Sequence, residues 1–401
     1  VKKLIAKSAG RHYVQKKAKD RGTMLNKLQQ QLVHLVCSEE GASRADLARL
    51  TGMSKPAIGA LVKELLAAGV LQESAMAASS GQGRPSVTLS LSPDAACAIG
   101  ISLIDQRLVV VLMNGIGEKM AERHLTPEVE IPALIQQLAA EIADLLSSAA
   151  VNRQRLAGIG FALSAFVDAA QSVCVQSALL GWHQVPLAEL LSRATGGIPV
   201  VIENDTRALA TYEKTFGHLR KYESAVAISH GSGIGSAAVI YGRIWRGAHG
   251  GAGEIAHCTI VPAGKPCRCG KRGCLDTVAS LTAIFEQARM EGIEATSLAE
   301  LEALARKGHS GAIHILHQAG DALGMAISHQ IQTHDPAAIM LAHQPDSFQG
   351  LLNTVMQQAI ETYLLPGMAG KTPLIYRPLE QDSWALAAAS VALTHVLFPE
   401  Y

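Results

Sequence analysis

Three cysteines, Cys267, Cys269 and Cys274, crowd one short segment, and His257 precedes the first of them by ten positions. Thiolate and imidazole donors are those of a tetrahedral zinc site, and Gly270 and Gly273 give the segment the tight turns that wrapping an ion needs. The spacing predicts one Cys3His zinc site per chain. Four protein ligands leave no position for water, so the metal is expected to be structural; clustered reduced thiols beside a core histidine are the alternative. A second group, Asn204, Asp205, Glu254, His257 and Asp276, supplies the fixed acceptors and donors that match vicinal sugar hydroxyls. Each of these singly is also an ordinary surface carboxylate or strand-end cap.

A third group can meet DNA. Ser54, Lys55, Gly59 and Lys63 are polar, small or cationic, as a helix face entering a groove must be, and the lysines suit phosphates. The elements that position them are legible nearby. Leu25, Leu28, Leu32 and Leu35 recur at helical spacing and predict a helix from Met24 to about Ser38. Ser43 with Asp46 forms a near capping box opening a short helix that Gly52 ends. Ser54 caps the next helix, Pro56 lies in its first turn, and Ile58, Leu61, Val62, Leu65 and Leu66 form its inner face. Two helices joined by a tight glycine turn make a helix-turn-helix. Val70-Leu71 and the alternating run Val87 to Leu91 read as strands of a wing whose loop carries Gly83-Arg84-Pro85, with Arg84 placed for a narrow minor groove. A small structural three-helix bundle is the competing reading.

Lys2, Lys3, Lys7, Arg11, Lys16, Lys17, Lys19, Arg21 and Lys27 face Asp20 alone, an asymmetry that the net charge of +1 conceals. Such a run is either a solvated tail or a DNA-contacting arm. Aromatic residues make up only 4%, which argues against stacking platforms for single-stranded nucleic acid. With 401 residues, 48% hydrophobic, the chain can fill more than one core. No apolar run of membrane length and no signal-peptide pattern occur, so a cytoplasmic protein without membrane insertion is expected. Seven cysteines placed in this way suggest metal ligands or reduced thiols, not a disulfide framework.

After Pro93 short apolar strands (98–104, 108–113, 157–161, 199–202, 225–229, 237–241) alternate with amphipathic helices (131–146, 187–195, 278–288, 312–329, 351–364), the pattern of an α/β fold. No internal repeat is evident. Three motifs follow in order: Glu203-Asn204-Asp205-Thr206-Arg207-Ala208, Gly250-Gly251-Ala252-Gly253-Glu254-Ile255-Ala256-His257 and Cys267-Arg268-Cys269-Gly270-Lys271-Arg272-Gly273-Cys274-Leu275-Asp276. Together they resemble the ROK family (repressors, open reading frames, kinases), and with the N-terminal module they resemble its repressor branch. The resemblance implies a two-lobed actin/hexokinase-like α/β domain behind a winged helix-turn-helix. The expected divisions are 1–92, then 93–200 completed by about 380–401, then 201–379 with the zinc loop. It further implies sugar binding by the five polar residues and assembly as a homodimer or homotetramer.

The resemblance has departures. Kinases of the family carry an Asp-x-Gly-Gly-Thr hairpin whose aspartate organises Mg²⁺ and whose glycines admit phosphates. Here Ser102 stands for that aspartate, and Ile104 and Asp105 stand for the glycines. The Gly231-Ser232-Gly233-Ile234-Gly235 loop survives, whereas Ala342-His343-Gln344-Pro345 replaces glycines near the nucleotide. ATP is not expected to bind, and Asp205, the family's general-base position, is read as vestigial, with no catalytic residue assigned. Ser164-Ala165 replaces a Pro-Gly pair, Leu179 an asparagine, and Asp276 the usual glutamate. The sequence therefore points to a repressor of sugar uptake or metabolism genes that binds a double-stranded DNA operator under control of a sugar or sugar phosphate. Two alternatives remain: a sugar kinase with a DNA-binding extension, and a repressor sequestered by a sugar-transporter protein.

Overall fold

The protein is described from a computed structural model, in which residues 25–39, 41–74 and 87–398 are placed. The basic run before residue 25 and the loop tip with Arg84 lie outside the described residues. These residues fall into two compact units, 1–221 with 384–401, and 222–383.

The first unit begins with a small module. Helix α1 (Lys27–Ser38) starts at a capping box in which Asn26 accepts from the Gln29 amide and the Gln29 side chain reaches back. Strand β1 (Ala42–Ser43) leads into α2 (Arg44–Thr51), where Ser43 and Asp46 form the expected reciprocal cap and Gly52 closes the helix at φ 70°. Helix α3 (Lys55–Ala67) is capped by Ser54 and buries Ile58, Val62 and Leu65. Strands β2 (Leu71–Ser74) and β3 (Thr88–Leu91) pair antiparallel, with β1 on the other side of β3.

The rest of this unit is a mixed sheet in the order β11-β7-β4-β5-β6. Strands β4 (Cys97–Ile104), β5 (Arg107–Asn114) and β6 (Lys119–Leu125) form a meander, and helix α4 (Ile131–Ser148) crosses to β7 (Leu156–Leu163), which runs parallel to β4. Three short strands, β8 (Phe166–Val167), β9 (Cys174–Ser177) and β10 (Trp182–Val185), make a side sheet. Helix α5 (Leu187–Ala194) then returns to β11 (Val200–Asn204), parallel to β7, and α6 (Asp205–Thr215) follows without a break. Val110, Leu112, Leu138, Ile159, Phe161 and Ile202 are among the residues that fill its core.

The second unit repeats this plan. Strands β12 (Ala225–His230), β13 (Ile234–Ile240) and β14 (Arg243–Trp245) form another meander, and α7 (Asp276–Ala279), α8 (Leu281–Met290), α9 (Leu298–Arg306) and the long α10 (Ser310–His334) precede β15 (Ile339–His343). Helix α11 (Leu351–Tyr363) leads to β16 (Leu374–Pro378), giving the order β14-β13-β12-β15-β16 with β12, β15 and β16 parallel. The structure thus holds a topological repeat that the sequence does not display. Strand alternation and crossovers survive divergence of the residues that fill each core.

Helix α12 (Ser383–Leu397) lies on the first sheet over two glycines. Gly100 and Gly160 face each other across β4 and β7, and a Cβ on either would fall 1.8 Å from a helix carbonyl, of Ala385 and Ala388 respectively. Only glycine admits a helix backbone so near a sheet, and Ala385, Ala388 and Ala389 keep the facing surface low.

Candidate metal centre, ligand residues and nucleic-acid face

The metal-site residues converge within the second unit. His257 ends a 3-10 turn (Ile255–His257), and the loop bearing the cysteines is folded by its own backbone: the Cys267 amide donates to Lys271 O at 2.8 Å and the Gly270 amide to Cys267 O at 2.9 Å. Gly270 and Gly273 take φ of 89° and 69°, as expected of turn glycines. One donor atom from each of His257, Cys267, Cys269 and Cys274 lies within 4.8 Å of all the others. A tetrahedron built on zinc distances has sulfur–sulfur edges of about 3.8 Å and sulfur–nitrogen edges of about 3.6 Å. Cys269 and Cys274 Sγ stand 3.7 Å apart, and Cys267 Sγ lies 3.6 Å from His257 Nδ1. These separations are far beyond a disulfide and fit a metal; all the cysteines are free. Burial pushes the Cys274 thiol up to about 12, so a metal must displace its proton. The Lys271 ammonium donates to His257 O at 2.6 Å and ties the histidine's backbone to the loop.

Asp276 follows this cluster at the start of α7. Arg268 Nη2, projecting from between the first two cysteines, lies 3.0 Å from Asp276 Oδ2. Asp276 Oδ1 is buried, and burial pushes the carboxyl above its ordinary value, with Arg268, His257 and the Ile234 amide opposing the shift. The glycine loop is packed under the same group, since a Cβ on Gly233 would come within 2.9 Å of Arg268 Nη2. Glu254 precedes the 3-10 turn and is exposed, its carbonyl accepting from the His257 amide at 3.2 Å.

Asn204 and Asp205 belong to the first unit, so the five candidate residues divide between the units. Asn204 closes β11 and caps α6, accepting from the Arg207 amide at 3.2 Å and donating to Ala165 O at 3.4 Å. Asp205 Oδ2 accepts from Ser164 Oγ, and Oδ1 accepts from the Thr206 amide at 2.6 Å and its hydroxyl at 3.2 Å. Burial nonetheless holds the Asp205 carboxyl above its ordinary value, with these hydrogen bonds opposing it. Ser164 therefore engages the oxygen that a substrate hydroxyl would need.

The sequence reading overlooked the frame beneath. Glu203 is 1% exposed and accepts from Arg207 Nε at 2.8 Å, from the Asn204 amide at 2.9 Å and from Gln171 Nε2 at 2.9 Å. Asp168 ties the turn carrying Gln171, accepting from the Ser172 and Val173 amides at 2.7 and 2.8 Å. The spacing of Glu203 and Arg207 is that of a helical ion pair and was present in the motif. Ser164 and Arg268 carry no such local signal.

The cap Ser54 and, on α3, Lys55 and Lys63 are exposed and Gly59 faces open space, on a stripe flanking that of Ile58, Val62 and Leu65. The positions 55, 59 and 63 follow one another at one helical turn, so they share a face. No helix among the described residues is long and apolar enough to cross a membrane.

A family model described as "ROK family" matches residues 98–395. The xylose repressor of Bacillus spizizenii is 26% identical over 378 residues, spanning 94% of this chain and 97% of that protein. The glucokinase of Thermotoga maritima is 32% identical over 225 residues, 52% of this chain and 70% of that protein. Among solved structures, a ROK family transcriptional regulator described as a homolog of the E. coli MLC protein matches with a TM-score of 0.75 and 28% identity, over 92% of this chain and 97% of that one.

Proposed function

The chain belongs to the ROK family, and from that premise we propose that it is a sequence-specific DNA-binding transcriptional regulator, a repressor whose operator affinity is set by a sugar or sugar phosphate. The observation that carries this reading is the extent of the repressor match. Omitting residues 25–92 would forfeit about a sixth of the chain, so an alignment spanning 94% of it must enter the N-terminal module. That module is read as a winged helix-turn-helix. Lys55 and Lys63 meet phosphates, Ser54 and Gly59 approach the groove, and Arg84 serves the wing. Asn204, Asp205, Glu254, His257 and Asp276 are the proposed ligand contacts, and the burial of the Asp276 carboxyl supports a polar ligand there. His257, Cys267, Cys269 and Cys274 are proposed to hold one zinc ion, which fixes the loop leading to Asp276 and supplies no reactive water. The chain acts as a dimer or tetramer, presenting two modules to operator half-sites. The three-part division at residues 92, 200 and 380 belongs to the same proposal.

The test is selection of DNA from a random double-stranded library by the full chain. The selected site is then titrated at fixed salt with xylose, glucose, N-acetylglucosamine and their phosphates. A selected sequence whose affinity shifts with one of these sugars is the expected result; no sequence preference, or no response to any of them, overturns it.

The 32% identity to a glucokinase favours a second reading, an active sugar kinase. Against it stand Ser102 and Asp105 in the phosphate hairpin and the Ser164 hydroxyl on Asp205. A coupled assay decides: sugar-dependent ATP turnover abolished by Asp205→Asn would establish the kinase.

A further inference from the structure

We propose that the state of the Asn204–Asp205 site is transmitted to the DNA-binding module through helix α6 and a three-ring contact, Phe216–Phe398–His34, all within the first unit. The proposal rests on the reading above for the roles of its two ends. Its middle rests on geometry.

Helix α6 begins at the proposed ligand residues, where Asn204 caps it and Asp205 is its first residue, and it ends at Phe216. An α-helix is a stiff rod, roughly 16 Å long at this length, so a displacement at its first turn is carried to its last. Tyr212 and Phe216 pack with ring centroids 5.7 Å apart, and the Tyr212 hydroxyl donates to Gly117 O at 3.3 Å. Phe216 meets Phe398 edge-on at 6.4 Å, and Phe398 meets His34 of α1 edge-on at 6.4 Å. Phe398 is therefore clasped between the end of the ligand helix and the first helix of the module.

The surface that receives it is a single stripe. Leu32, Val33 and Val36 of α1 face the module's own core, whereas Gln30, His34 and Cys37 recur at i, i+4 and i+7 on another face. Two of these residues contact the larger domain: Gln30 Nε2 donates to Val396 O at 3.3 Å and His34 meets Phe398 edge-on, while the half-buried Cys37 lies near enough to Arg220, just beyond α6, to feel its charge. Lys214, in the last turn of α6, donates to Arg220 O at 2.9 Å and binds that segment back to the helix. Away from the rings the module also lies close to the larger domain, where a Cβ on Gly69 would come within 3.2 Å of Arg155 Nη2. The bulk of these rings serves a purpose that burying the ends of α1 and α12 with aliphatic side chains would not: a discrete edge-on contact has few alternative packings, so it can switch instead of deforming continuously.

Amide hydrogen exchange on the full chain tests this without a ligand. Asp205→Asn removes the charge at the start of α6, and its effect on residues 27–38 is compared in the parent, in Phe398→Ala, in Phe398→Leu and in His34→Ala. His34 is only half-buried, so its variant keeps the comparison available if Phe398→Ala does not fold. The expected result is that Asp205→Asn changes exchange in 27–38 by at least about threefold in the parent, and that the change contracts to residues near 203–216 in the ring variants. An unchanged 27–38 in the parent, or an effect of full size persisting in His34→Ala and Phe398→Leu, overturns the relay. Failure of the functional reading is seen separately: a chain that selects no DNA yet shows the exchange coupling keeps the relay, and a chain that selects DNA without the coupling loses it alone.

Discussion

Asp205 and Glu203 are near neighbours with opposite energetic characters. Asp205 is desolvated with its carboxyl pushed up, so the folded chain gains little from its charge. Asp205→Asn is therefore expected to leave stability within about 1 kcal/mol of the parent in urea titrations, or to raise it, while ligand binding is lost. Glu203 accepts from Arg207 Nε at 2.8 Å, and both side chains are almost fully buried. Glu203→Gln would remove the carboxylate from this buried ion pair, at a cost of about 3 kcal/mol by the same titration. The metal cluster makes a third prediction at this scale: Cys274→Ser should abolish stoichiometric zinc by elemental analysis and lower the melting temperature by roughly 10 °C. The four donors of that cluster were legible because chelating residues on one loop must lie close in sequence. Ser164 and Arg268 were not, since each earns its place through a partner, Asp205 or Asp276, that only the fold brings near.

Elements were legible where burial follows apolar periodicity, and obscure where it does not. Strands β4, β5, β7 and β12 are continuous apolar runs and were found within a few residues of their bounds. Helix α6 was missed although a recognised motif lies on it, because its buried side includes Thr206, Arg207, Thr211 and Glu213 along with its alanines and Leu209. The glycine pair under α12 gave no signal either, because Gly100 and Gly160 sit in ordinary strand and matter only through a helix far along the chain. Gly160→Ala should force the sheet and α12 apart and cost about 3 kcal/mol, read as a lower urea midpoint. The end of β12 makes a prediction in pH. His230 is buried, with Nε2 2.8 Å from Ala279 O, Nδ1 without a partner among the described residues, and Phe348 edge-on at 5.2 Å. Desolvation pushes it from 6.5 down to about 4. Between those values the unfolded chain binds the extra proton, so stability falls as pH drops below about 6.5, by about 3 kcal/mol once pH reaches 4. His230 adds no dependence above that window, and His230→Gln should flatten the acid limb of stability against pH.

At the scale of the whole molecule, the distribution of charge separates a regulator from an enzyme that carries an appendage. Residues 25–74 hold Lys27, Arg44, Arg49, Lys55 and Lys63 against Glu39, Glu40, Asp46, Glu64 and Glu73, so this stretch of sequence carries no net charge to attract a polyanion. Long-range attraction must come from the run before residue 25, which sets eight lysines and arginines against Asp20. The two sources of contact then have different signatures on DNA. Replacing Lys16, Lys17 and Lys19 together with Gln should weaken selected and unrelated duplexes alike and lower the slope of log K against log salt by up to about 3, because each phosphate contact contributes about 0.9. Lys55→Ala and Lys63→Ala should each lower that slope by about 1, with a similar loss on every sequence if they meet phosphates alone. A loss concentrated on the selected site would instead place the lysine on a base edge. Filter binding of the full chain at several salt concentrations reads all of these slopes. Slopes unchanged in every variant would remove DNA from the account of this protein, because no other described surface joins exposed lysines at one helical turn to a capped helix that buries an adjoining face.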